Sequence, residues 1–134
     1  MALWSGWFAV LLIVISAAVP LGARLRMGLR ASPSSPAIRR HVVLGLTTSA
    51  VAFLHTLFVI PALGSPAAIG SGPMAIAPAG LAFFLLVAHS GLGLQLREER
   101  LKTRAKIRRF HAVTALAITI SVAIHVVTLE QARH

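Results

Sequence analysis

The chain contains no cysteine. That absence excludes disulfides, thiolate-bound zinc, iron–sulfur clusters and the Cys-x-x-Cys-His attachment of a c-type haem, and leaves histidine as the only strong metal-ligand type. Acidic residues are almost as scarce, with only Glu98, Glu99 and Glu130 in 134 residues. Charge of either sign is missing altogether from four long stretches, 2–23, 41–63, 74–96 and 110–129. A soluble bundle would carry a polar face on each helix. These stretches carry none, and each reaches the roughly 20 residues that cross about 30 Å of hydrocarbon. With 57% apolar residues and 12% charged ones, the composition belongs to the membrane class.

The expected fold class is therefore all-α: an integral membrane four-helix bundle forming a single domain over residues 1–134, with the lipid bilayer as its first partner. The first stretch lacks the basic n-region of a signal peptide, and its positive charge follows the apolar run, so it reads as a retained first helix. The thirteen Lys and Arg fall mainly in two loops. Arg24, Arg26, Arg30, Arg39 and Arg40 follow or precede spans one and two, and Arg97, Arg100, Lys102, Arg104, Lys106, Arg108 and Arg109 lie between spans three and four. By the positive-inside rule both loops face the cytoplasm, giving an N-out/C-out topology in what reads as a bacterial cytoplasmic membrane. A net charge of +10 would suggest nucleic acid in a soluble protein. Between membrane spans it reads as topology, and no nucleic-acid partner is expected.

The two halves of the sequence resemble each other. Ile38-Arg39-Arg40-His41 opens span two and Ile107-Arg108-Arg109-Phe110-His111 opens span four, each followed by an apolar run with a second histidine. This is the pattern of a tandem repeat of two helical hairpins, related by an axis along the membrane normal. His41 and His55 are fourteen residues apart, and so are His111 and His125. Fourteen residues at about 100° each return close to the starting direction, so each pair shares one helix face. The rise between them is about 21 Å, too far for one helix to bind one metal twice. Ligation therefore crosses between the helices: His41 with His111 at the cytoplasmic end and His55 with His125 at the other, as axial ligands of two haems. Gly45, four residues after His41, and Gly80, Gly91 and Gly93 in span three offer room for a planar group. Arg39, Arg40, Arg108 and Arg109, next to the inner ligands, are candidates for haem contacts through its propionates, Arg40 and Arg109 foremost. His89, in span three, has no partner at fourteen residues; with Ser90 and Gln95 it is a candidate quinone or proton site.

The pattern His-x13-His on each of two helices resembles the di-haem core of cytochrome b from bc-type complexes, and is similar to the transmembrane domain of ferric reductases and NADPH oxidases. The resemblance implies two haem b, held by His41, His55, His111 and His125, and transmembrane electron transfer. The quinone, nucleotide and flavin regions of those families have no counterpart here. The expected role is thus an electron conduit in a respiratory chain, a small cytochrome or a redox subunit served by partner proteins on one or both sides. No residue is assigned a catalytic role. Two other readings remain open on the sequence: a cofactor-free assembly subunit, and a metal or proton transporter. The second would usually place carboxylates or thiolates within the spans, and there are none.

Overall fold

The computed structural model describes residues 2–27, 32, 34–64, 73–98 and 100–132, and its fold follows the four apolar runs closely. Helix α1 spans Ala2–Met27, α2 Pro36–Val59, α3 Pro73–Gln95 and α4 Arg104–Gln131, with a short 3-10 turn, Ile60–Ala62, closing α2. No strand occurs among the described residues. Each of the four helices is long and apolar enough to cross a membrane, and large apolar side chains point outward on all of them, among them Trp4, Phe53, Phe84 and Val113. A helix that is apolar all round without being enclosed by protein is suited to lipid.

The ends of α1, α2 and α4 on the basic side run past the apolar stretches into the loops, because hydropathy tracks the membrane whereas Arg and Lys are good helix formers; α3 stops at Gln95. Ser35 caps α2, its hydroxyl accepting from the Ile38 N–H at 3.3 Å, with Pro36 at the first helical position, where its missing N–H costs nothing. Pro61 lies just past the last α-helical turn, and the chain tightens there into the 3-10 turn. At the far end of α3, Arg104 of α4 donates to the carbonyls of Leu96 (2.6 Å) and Glu98 (2.7 Å). A guanidinium at these open carbonyls satisfies them and complements the helix dipole.

The helices pack as two hairpins, α1 against α2 and α3 against α4, joined by a lighter contact between α2 and α3. This is the tandem arrangement expected from the repeat. The interior is built mostly from small residues: Ala9 and Ser16 of α1, Thr48 of α2, Ala82 of α3 and Ser121 of α4 are buried, with Leu12 of α1 and Ile118 of α4. Small side chains let membrane helices approach closely. Hydroxyls inside the bundle are satisfied locally, the buried Thr48 donating to the Leu44 carbonyl at 2.7 Å and the half-buried Ser49 to that of Gly45 at 2.9 Å. Ser49 also meets Ser90 at 2.8 Å, a polar link between α2 and α3.

Candidate functional site

Toward the end of the bundle that carries the two basic loops, the hairpins diverge around a cavity of about 550 Å³. All four helices line it, and His41, His89 and His111 face it together with Gly45, Gly93 and Ala115. A volume of this size is within the range of cofactor sites, roughly 300–1,000 Å³.

The first hairpin sets His41 through an unusual feature of α1. Pro20 lies inside that helix and has no N–H, so the carbonyl four residues earlier, that of Ser16, loses its intrahelical donor. His41 supplies the missing bond: its Nδ1 donates to the Ser16 carbonyl at 2.8 Å, with the Ser16 hydroxyl at 3.4 Å from the same atom. The second hairpin does the same by other means. His111 Nδ1 donates to the His89 carbonyl at 3.2 Å, and the residue four positions on is Gly93. A Cβ at Gly93 would stand 3.2 Å from His111 Cε1, so glycine is what admits the ring.

A carbonyl oxygen can only accept, so both contacts require the proton on Nδ1. In its neutral form each ring carries its lone pair on Nε2, the state of an imidazole ready to bind a metal, with its other nitrogen oriented by a backbone carbonyl. The two ring centres lie 6.1 Å apart with planes 87° from parallel. Two imidazoles that shared one metal between them, at metal–nitrogen bonds of about 2 Å and about 1 Å from each nitrogen to its ring centre, would have centres about 6 Å apart. The donor set, the spacing and the adjoining space therefore fit a haem held between α2 and α4.

His89 adds a third imidazole. Its ring stacks on that of His111 at 3.7 Å and 14°, and its Nδ1 lies 2.9 Å from the Thr114 hydroxyl. Thr114 in turn donates to the His111 carbonyl at 3.0 Å. Among the described residues no three His, Asp or Glu side chains form a metal-ion cluster; a haem asks only two axial ligands of the protein.

Basic side chains surround the cavity mouth. Arg24, Arg97, Arg104 and Arg108 line it; of the four arginines beside the ligands, Arg39, Arg40 and Arg109 are exposed outside that lining. Helical direction explains the difference: Arg108 precedes His111 by three residues and so shares its face, and Arg109 does not. Gly45 lines the cavity as the sequence suggested.

Near the opposite end, His55 is set by α1. Ser5 Oγ lies 3.0 Å from His55 Nδ1, and a Cβ at Gly6 would stand 3.2 Å from His55 Cε1. His125 sits on α4 fourteen residues beyond His111, and its carbonyl accepts from the Thr128 hydroxyl at 3.0 Å. Between α1 and α4 at this end lies a smaller apolar cavity of about 300 Å³ lined by Trp7, Val10, Val122 and Val126 among others.

The supporting residues escaped the sequence pattern. Pro20 was the available signal there, since a proline inside an apolar run frees the carbonyl four residues before it. Ser5 and Gly6 give no signal until His55 is packed against them. Known protein families, characterised proteins and solved structures were compared with the chain, and none matches it.

Proposed function

We propose that this chain is a di-haem membrane cytochrome b that carries electrons across the bilayer. The observation that carries the reading is the inner histidine pair: two imidazoles 6.1 Å apart, both held as Nδ1–H tautomers by backbone carbonyls, beside a cavity of about 550 Å³. His41 and His111 would each give the haem iron one imidazole nitrogen, and the group so held would supply one-electron redox chemistry rather than a site for a substrate.

His41 and His111 would hold the inner haem. Arg24, Arg97 and Arg108, at the cavity mouth, offer guanidinium donors to its propionates. The second site is assigned to His55 and His125 by the equal fourteen-residue spacing, which places it about 21 Å further along the same two helices. With both basic loops cytoplasmic, the two sites form a relay between the membrane faces, fed and drained by redox partner proteins or a membrane quinone.

The test is a pyridine haemochrome assay and a reduced-minus-oxidised spectrum on the full chain, purified after expression with ample haem. Two b-type haems per chain are expected, falling to one in His55→Ala. A haem-free wild-type chain overturns the reading, and unaltered complex assembly and electron flux in a variant lacking all four ligands would make it a scaffold subunit.

A further inference from the structure

Hydrogen bonding alone does not fix the plane of His111. Its Nδ1 has one carbonyl partner at 3.2 Å, and histidine χ2 is a broad, roughly two-fold rotor, so the ring can swing about that contact. His41 is better tied, with both the carbonyl and the hydroxyl of Ser16 at its Nδ1. What His111 has in addition is His89. The His89 ring lies flat on it, at 3.7 Å and 14°.

The two histidines are clasped in both directions. The His111 ring donates to the His89 backbone, while the His89 ring reaches Thr114, whose hydroxyl is bonded to the His111 backbone. Because the Thr114 proton is committed to that carbonyl, its oxygen accepts from His89 Nδ1–H, which fixes the His89 tautomer as well. A ring anchored at its own edge and stacked on its neighbour prevents that neighbour from rotating.

We propose that His89 is a positioning residue for the inner haem: by stacking on His111 it holds that imidazole near-perpendicular to His41, at the 87° the structure records. The proposal rests on the di-haem reading and goes beyond it, because it gives the fifth intramembrane histidine a role and the inner site an electronic signature. The relative orientation of two axial imidazoles governs the splitting of the iron d orbitals. Near-perpendicular planes give ferric haem a strongly anisotropic low-spin EPR signal, and near-parallel planes a less anisotropic one.

The experiment is low-temperature EPR of the ferric protein in a His55→Ala background, where the inner haem is the one expected to remain. The parent should show the strongly anisotropic signal. His89→Ala should keep its haem while the signal shifts to lower anisotropy and broadens; His89→Phe, which restores a flat ring without a nitrogen, should return most of the parent signal. Superimposable spectra in all three overturn the proposal. Loss of the inner haem from both variants also overturns it, since His89 would then be a ligand itself. If the wild-type chain carries no haem, the functional reading fails separately, and nitrogen-15 spectra of histidine in the haem-free chain decide the positioning role. A His111 Nδ1–H resonance sharp in wild type and His89→Phe but broadened in His89→Ala supports it, and identical resonances overturn it.

Discussion

The two ends of the bundle hold their histidines by different means. At the basic end, His41 and His111 each donate to a backbone carbonyl, made accessible by a proline in one hairpin and a glycine in the other. At the opposite end, His55 meets the hydroxyl of Ser5. A carbonyl dictates the tautomer, whereas a hydroxyl can donate or accept and by itself leaves it open. The fold thus leaves Nε2 of both inner histidines available to a ligand, whereas the Ser5 contact alone does not orient His55 in that way.

The comparison breaks most directly at the ligands. Replacing His111 by Ala should remove the inner haem and leave one per chain, and His125→Ala should do the same for the outer haem, as read by haem stoichiometry. If either variant loses both haems, the sites are coupled and the two-ended picture falls.

Next in size are the glycines that admit the rings. Gly93→Leu should expel or displace His111, and Gly6→Leu His55, because even a Cβ at either place stands 3.2 Å from the ring. Each should cost one haem, the first the inner and the second the outer. Potentiometric titration of the remaining haem tells which end was lost.

Pro20→Ala should produce opposite effects on stability and on binding. It restores an N–H that competes for the Ser16 carbonyl, so the helix gains a hydrogen bond while His41 loses its exclusive acceptor. Weakening a neutral hydrogen bond by about 1 kcal/mol lowers inner-haem affinity roughly fivefold, even as thermal stability of the haem-free chain is unchanged or higher. Equal affinity in the two proteins would show that the freed carbonyl has no part in the site.

The smallest effects separate the ends most finely. Ser16→Ala keeps the carbonyl that holds His41, so it should shift inner-haem affinity by less than a factor of about two. Ser5→Ala removes a hydroxyl 3.0 Å from His55 Nδ1 and should lower outer-haem affinity about fivefold. A larger effect from Ser16 than from Ser5 would reverse the contrast.

Much of this was legible in the sequence, for reasons that also mark where legibility stopped. Four uncharged runs were enough to place four helices, because lipid imposes one requirement on every residue of a span. The helix ends in the basic loops, such as the turn from Arg104 to Arg109, were not legible from hydropathy, since water tolerates helix and coil alike. The spacing of the histidines put His41 and His111 at matching depth because helical periodicity converts residue number into depth and direction, and their rings do lie 6.1 Å apart. Which arginines line the inner cavity was a matter of face rather than adjacency: of the four beside the ligands Arg108 lines it, joined by Arg24, Arg97 and Arg104. His89 carried no periodic partner in the sequence, and its place against His111 emerges only when α3 packs on α4.

The central claim, that His41/His111 and His55/His125 each hold one haem, is tested most directly by counting haem per chain in wild type beside His111→Ala and His125→Ala, with a redox titration of each. Two haems in the wild type with two resolved potentials, and one haem in each variant retaining the complementary potential, is the predicted result. No haem in the wild type, or an unchanged count in the variants, would contradict it.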